Sequence, residues 1–588
     1  MREFLSGNEA TARGAWEAGV EVAAAYPGTP STEILESLIG RPGVYAEWST
    51  NEKVALEAAF GASLAGRRAL TAMKHVGLNV ASDSLMTLGL VGAKGGLVIA
   101  VSDDIGFSSS QNEQDSRYWG RFVHLPVLEP ADAAEAYAMA RDAFAISERF
   151  EVPVLLRLTT RVSHVKRTLT LGEREAPDRS RRGYHRDAER WIITPNHVGK
   201  RLEVRALRDA ALAEESAASR WNVLEHGTDR SVGFVVSGPA YHAVREAFPH
   251  ASVLKLGFSH PLPLALAYQL AESVERVMVV EESEALVETE LNAAGIAAAG
   301  RAWLPPHGEI TAPAIECAVS RLLGYSQVQE AKKAKKVFPR PPTLCAGCPY
   351  MGIYFWLGQL TDAVICGDIG CYTLGCGEPW NAMDSIISMG ASLGVAHGMA
   401  KTFEGNGDAK PVLAVIGDST FLHSGMPALA NIAYHRANVT ALILDNRTTA
   451  MTGGQDRPQL DFAQLSTALG IRPERVRKVD PYELPAFFKV LREEIKAPEP
   501  SVIIAERPCV LSREFVRRRP LTVIEDKCNG CARCLDVGCP AITVTRRERE
   551  MRASGKVVEH AWVKIESGLC TGCDVCAQAC ARGAMVAA

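Results

Sequence analysis

The feature that most restricts this chain is the spacing of its last eight cysteines. Cys528, Cys531, Cys534 and Cys539, the last followed by Pro540, read C-x2-C-x2-C-x4-C-P, and Cys570, Cys573, Cys576 and Cys580 read C-x2-C-x2-C-x3-C. Three thiolates at such gaps wrap one corner-bound four-iron cube, and in two-cluster modules the fourth cysteine of each run serves the other cube. This assigns Cys528, Cys531, Cys534 and Cys580 to one [4Fe–4S] cluster, and Cys570, Cys573, Cys576 and Cys539 to a second. Zinc also uses paired C-x2-C, but it needs four ligands, and each run packs three with a remote fourth. Ala581 follows Cys580 where a proline is usual, and the gap before Cys539 is one residue longer than typical; neither change removes a ligand.

Of the 15 cysteines only Cys317 precedes Thr343. The start, Met1 to Glu9, has no apolar core of a secretory signal, so a reducing, cytoplasmic setting is expected, where clustered cysteines mean metal or redox chemistry. A net charge of −4 gives no reason to expect nucleic acid or an anionic membrane as partner. No apolar run reaches the roughly 18 residues that span a bilayer. The 588 residues suggest about four domains at roughly 150 residues each.

The class is α/β. Residues 1–170 alternate helix and strand signals: an Ala-rich helical pattern from Asn8 to Ala25, then buried-strand runs at Leu97–Val101 and Val152–Leu158, which argue for a parallel sheet covered by helices. Residues 171–230 form a connector, charged at 173–182. A smaller βα unit occupies 231–330, with strands expected from Val232, Val253 and Val277. The lysine-rich stretch 330–342 reads as a solvated linker. A second large α/β region fills 343–511, with strands at Ala363–Cys366, Val412–Gly417 and Thr440–Asp445. The basic stretch 512–520 leads to the cysteine module, 521–588.

Gly417, Asp418 and Ser419 follow a buried strand, and Asp445-Asn446 ends the next one. This puts hard oxygen ligands at the carboxyl ends of neighbouring parallel strands, where open α/β sheets bind ligands. Mg2+ favours oxygen donors and shares them with phosphates, so Asp418, the Asn446 amide oxygen and the Thr448 carbonyl would hold Mg2+ against a diphosphate. The spacing is similar to the thiamine-diphosphate motif, G-D-x and an Asn pair about 25 residues on, with Asp445 in place of the first Asn. Gly367, Asp368 and Gly370, with Gly390 and Gly394, add small residues that would let backbone N–H groups approach phosphate, though glycines serve packing equally well. Thiamine diphosphate also needs an acid at its aminopyrimidine, which activates the coenzyme's amino group to deprotonate its reactive carbon. Glu52, nine residues ahead of Gly61 on a helix with further small residues after, fits that part, whereas Glu57 would point elsewhere. The bland alternative is a glutamate decorating a helix N terminus.

Taken with Tyr26-Pro-Gly-Thr-Pro-Ser-Thr-Glu33, Met73-Lys-His-Val-Gly-Leu-Asn79, Ser109 to Arg117, Gly367 to Gly375, Gly417 to Gly425 and Asp445 to Gln455, the chain resembles, over nearly its whole length, the 2-oxoacid:ferredoxin oxidoreductase family. The resemblance implies two thiamine-diphosphate-binding domains, a domain like the transketolase C-terminal one at 231–330, and a bacterial-type two-cluster ferredoxin domain. It also implies a third, proximal [4Fe–4S] cluster on Cys345, Cys348, Cys371 and Cys509, with Cys376 competing with Cys371 for one place. By the same resemblance Thr29 faces the substrate and His75 serves proton transfer, although a lone histidine is more often structural. The implied reaction is oxidative decarboxylation of a 2-oxo acid, an arylpyruvate such as indolepyruvate, with coenzyme A taking the acyl group and ferredoxin the electrons. The family pairs such a chain with a small beta subunit, two copies of each being expected. Rival readings are a relative acting on an arylglyoxylate or a non-aryl 2-oxo acid, or an electron-transfer subunit with a dead thiamine site. In every form of the main reading, two distant parts of the chain, of one copy or of two, share one coenzyme.

Overall fold

Strands that read as unbroken apolar runs need cover on both faces, and both halves of the chain supply it with helices. The computed structural model describes residues 2–176, 183–184, 186–325, 341–403, 410–551 and 557–588. Residues 330–340 of the expected linker and 177–182 of the charged connector lie outside the described residues. The chain divides into two compact units, Met1–Lys336 and Val337–Ala588.

In the first unit a seven-stranded sheet runs in the order Phe258–His260, Val127–Leu128, Val154–Thr159, Leu97–Asp103, Ala69–Lys74, Val22–Ala25, Tyr45–Trp48. Every neighbouring pair is parallel except at the Phe258–His260 edge. The three central strands are buried at every residue, as their composition requires. The Ala-rich pattern from Asn8 to Ala25 is not one helix. The helix Gly7–Glu17 opens with a capping box of Ser6 and Glu9 and stops before Gly19, whose φ of +76° turns the chain so that Val22–Ala25 enters the sheet. A second sheet follows in the order Ala298–Ala299, Val277–Val280, Asp229–Ser237, Ala251–Leu256, Asn222–Glu225, its last strand antiparallel. A buried ion pair between Arg117 and Glu281 joins the two sheets' elements, while Arg117 with Asp115 and Arg157 with Asp103 and Glu129 are buried pairs within the first.

The second unit holds an all-parallel sheet, Val364–Cys366, Val412–Gly417, Val439–Asp445, Ser501–Glu506, Val476–Val479. Beyond it Leu521–Val523 pairs with Met585–Ala587, and Ile542–Met551 with Val557–Ile565 as a long hairpin. The two cysteine runs are pseudo-symmetric. Gly530 and Gly572, then Ala532 and Asp574, occupy matching places with left-handed backbone, the φ values lying between +62° and +70°. Such alternation turns successive N–H groups inward, the concave form that binds iron–sulfur groups. This module shares one apolar core with the parallel-sheet domain, Met351, Tyr354 and Trp380 packing in the cluster that holds Leu521, Val537 and Val575. No helix among the described residues is long and apolar enough to cross a membrane.

Candidate functional site

The first unit builds its site at the carboxyl ends of its central strands. Helix Glu52–Leu64 begins at Asn51, whose side chain accepts the Val54 N–H. That cap sets Glu52 on the first turn, where the helix dipole favours a carboxylate. Glu52 is only 6 % exposed and lies against Gly77: a Cβ on Gly77 would sit 2.6 Å from Glu52 Cγ. Glu57 is spent at the surface on Ser84 and Lys53, in line with its expected exclusion.

Strand Ala69–Lys74 ends in Lys74, and helix His75–Val80 follows at once. His75 is buried. Its Nδ1 accepts the Asp104 N–H at 3.3 Å and its Nε2 lies 3.3 Å from Asn112 Oδ1, which fixes the ring between two fixed partners. Burial pushes its pKa down, so the imidazole is neutral. The loop after strand Leu97–Asp103 joins these groups. Ser109 donates its hydroxyl to the Thr29 carbonyl, and its own carbonyl takes the Lys74 ammonium at 2.7 Å. Asp104 holds the loop by accepting from the Ser109 N–H and from the Ser110 and Thr160 hydroxyls. Thus the structure brings Thr29 and His75 to one loop and adds Lys74 and Ser109, which sequence reasoning missed. The available signal was a lysine at the end of an otherwise uncharged strand.

In the second unit Asp418 and Asn446 stand, as expected, at the ends of the neighbouring strands Val412–Gly417 and Val439–Asp445. Both are buried. Asp418 Oδ1 accepts the Ser419 N–H at 2.7 Å, and Oδ2 accepts the Arg447 N–H at 2.9 Å. Ser419 Oγ lies 3.0 Å from Thr449 Oγ1, and Asn446 Oδ1 accepts the Thr448 N–H at 3.1 Å. A residue that sequence reasoning missed closes the cluster. Arg457, itself buried, ion-pairs with both Asp418 at 2.6 Å and Asp445 at 2.5 Å. Burial still pushes the Asp418 carboxyl up to about 7, helped by Asp445 and opposed by Arg457. Asp445 was the signal: an acid where the motif carries an amide calls for a buried cation.

The softer phosphate-loop residues have other work in the fold. Asp368 accepts the Gly390 and Ser392 N–H groups and so caps the start of helix Ala391–Phe403. A Cβ at Gly367 would meet the Met383 sulfur at 2.3 Å, and Cβ atoms at Gly370 and Gly417 would meet the Tyr372 ring at 2.3 and 2.5 Å. These glycines therefore have a packing reason of their own.

Twelve of the fifteen cysteines fall into three groups of four. Cys348 feels like charge from Cys371, Cys345 and Cys509, while burial drives its thiol well up. Cys371, pushed to about 11 chiefly by burial, feels Cys509 and Cys345 in turn. Cys509 reaches Asp418 as well, and its N–H donates to the Asn446 carbonyl at 3.1 Å. Cys376 takes part in none of these interactions. In the module, Cys528, Cys531, Cys534 and Cys580 line one small cavity. Cys576 couples to Cys573, Cys539 and Cys570 and, more weakly, to Cys534 of the other group. The Gly347 N–H, between Cys345 and Cys348, bonds to Cys539. Cys531 alone of the module's cysteines is exposed. Among the described residues no three His, Cys, Asp or Glu side chains close on a point as a single metal ion requires.

The chain matches two families. One, described as pyruvate flavodoxin/ferredoxin oxidoreductase, thiamine diP-binding, covers residues 13–211, and the other, thiamine pyrophosphate enzyme, C-terminal TPP binding domain, covers residues 368–505. It is 38% identical to the indolepyruvate oxidoreductase subunit IorA of Methanothermobacter thermautotrophicus, across 99% of this chain and 97% of that one. It is also 38% identical to the IorA subunit of Pyrococcus abyssi, across 98% and 96%. The 2-oxoglutarate synthase subunit KorA of Archaeoglobus fulgidus is 26% identical over 49% of this chain and 90% of its own length.

Proposed function

Because the chain belongs to the indolepyruvate oxidoreductase subunit IorA family, we propose that it oxidatively decarboxylates an arylpyruvate such as indolepyruvate and sends the electrons through [4Fe–4S] clusters to ferredoxin. It is an oxidoreductase of the thiamine-diphosphate-dependent 2-oxoacid:ferredoxin type. The observation that carries the reading is the hydrogen bond between Asn446 and Cys509, which joins the carboxylate–amide site to the four-cysteine group. A thiamine site needs no cysteines unless electrons leave one at a time.

The donor set fits the cofactor. Asp418, the Asn446 side chain and the Thr448 carbonyl are oxygen donors of the kind Mg2+ takes beside a diphosphate, and Gly417 and Ser419 flank them. Bound thiamine diphosphate supplies a nucleophilic carbon that accepts the 2-carbonyl and takes up the electron pair left by CO2. Glu52, buried at a capped helix start, holds the aminopyrimidine in its active tautomer. Thr29 and His75 flank the loop of Asp104, Ser109 and Asn112, where substrate would be received. Cys345, Cys348, Cys371 and Cys509 would hold the proximal cluster. The Gly347–Cys539 bond and Tyr482, whose hydroxyl reaches the Gly347 carbonyl, lie between that group and the second cluster of the module. Cys528, Cys531, Cys534 and Cys580 would hold the cluster nearest the surface, since Cys531 is exposed, and that cluster would supply the exit for electrons. Coenzyme A takes the acyl group, and a small beta subunit completes the complex, two copies of each chain being the simplest assembly.

The test is Glu52→Gln in the purified complex, assayed with a panel of 2-oxo acids, coenzyme A and a viologen acceptor. Turnover should vanish while iron content stays at the wild-type value. Full activity in that variant overturns the assignment of the acid.

A further inference from the structure

Lys74 is a buried cation that the reaction, as described so far, does not use. It is 9 % exposed. Its stem passes Gly28, where a Cβ would lie 3.2 Å from the Lys74 Cβ. An ammonium carries three N–H donors. One goes to the Ser109 carbonyl at 2.7 Å, and among the described residues neither a second acceptor nor a carboxylate within ion-pair distance meets the others. Asp104 acts on it only as a more distant charge, its oxygens being taken by Ser109, Ser110 and Thr160. A buried charge with unspent donors is costly unless an anion completes it.

The surroundings say which anion. Ser109, which touches Lys74, also donates to the Thr29 carbonyl, and His75 is the next residue. The unspent donors therefore sit among the groups that the proposed function gives to the substrate. We propose that Lys74 is the cation that receives the carboxylate of the 2-oxo acid and so sets the chain's preference for acids over neutral carbonyl compounds. This rests on the functional reading above. Burial holds the amine down to about 8, against Asp104, so it is protonated at neutral pH but loses its charge in mildly alkaline solution. The titratable groups facing it are Asp104 and His75, while the Gly28–Thr29 turn brings none. A cation on the departing carboxylate stabilises bound substrate more than the transition state, so its loss should appear mainly in KM.

The experiment uses the cofactor-loaded complex with its small subunit. Wild type, Lys74→Met and Lys74→Arg are compared for kcat and KM with phenylpyruvate, and by calorimetric titration with 3-phenylpropionate and its carboxamide, which lack the reacting carbonyl. Lys74→Met should raise KM and weaken the acid by about tenfold or more, with kcat within about threefold and carboxamide binding unchanged. Lys74→Arg should keep the preference for the acid. In wild type that preference should fade above about pH 8, and Lys74→Arg should carry it to higher pH. This pH arm decides the matter if the methionine variant does not fold. An acid-over-amide ratio that is the same in Lys74→Met, or flat with pH in wild type, overturns the proposal, as does wild type binding both probes equally. Wild type that turns over no 2-oxo acid overturns the functional reading instead, and the titrations still rule on Lys74.

Discussion

Cys371 and Cys376 stand at the two ends of one six-residue 3-10 helix, Cys371–Cys376, and from sequence either could have been the fourth thiolate of the proximal group. Side-chain direction separates them: Cys371 interacts with Cys345 and Cys509, and Cys376 is exposed and does not. Cys371→Ser should therefore lose about a third of the iron and the proximal cluster's paramagnetic signal, while Cys376→Ser keeps both. Iron analysis and low-temperature magnetic resonance on the two variants decide it; equal losses would mean that neither position is special. Cys366, left over from the three groups, is fully buried with its sulfur 3.8 Å from the Met399 sulfur, a small hydrophobe in a strand. At the same scale, Asp418 and Asn446 were readable because strand ends and oxygen donors leave a pattern in sequence. Arg457 and Lys74 were not, because a buried cation is recognised by what surrounds it, and its neighbours come from distant segments.

At the scale of elements, two helix starts organise the candidate sites. The Asn51 cap places Glu52, and the Asp368 carboxylate holds helix Ala391–Phe403 by the Gly390 and Ser392 N–H groups. The Glu52 carboxyl group depends on the bare backbone of Gly77 on helix His75–Val80. Gly77→Ala should push the carboxylate aside, since the added carbon would lie 2.7 Å from Glu52 Oε1. Misplacing a reacting group by about 1 Å costs up to ~100-fold, so turnover should fall at least tenfold, with little change in the melting temperature. Near-normal kcat in this variant would show that Glu52 tolerates displacement and would weaken its assigned part. The run from Asn8 to Ala25 carries a lesson of this scale too. Alanine suits a helix and a tightly packed strand alike, and the break came from Gly19, whose left-handed backbone ends the helix pattern early.

At the scale of the molecule, the cysteine module is not a bead on a string. Gly538, with φ of +69°, lies against Trp380 of the parallel-sheet domain, where a Cβ would meet the indole at 2.2 Å. Gln578 bonds to the Leu484 N–H and the Tyr482 carbonyl across the same junction. Gly538→Ala combines overpacking with a strained backbone, and about 1–3 kcal/mol should be lost from this junction. Hydrogen exchange should then quicken across residues 521–588 while the strands Val412–Gly417 and Val439–Asp445 stay protected. Unchanged exchange in the module would mean that Trp380 yields without cost. Cysteine spacing, the oxygen donors at two strand ends, the helix-borne glutamate and the parallel α/β class were determined by the sequence alone, because each follows from contacts among residues close in the chain. The choice of Cys371 over Cys376, the pairing of Arg457 with two acids, the packing duty of the glycines and the unspent donors of Lys74 were decided only by the tertiary structure. Each of those depends on which distant side chains burial forces together, and low-dielectric surroundings then set their charge.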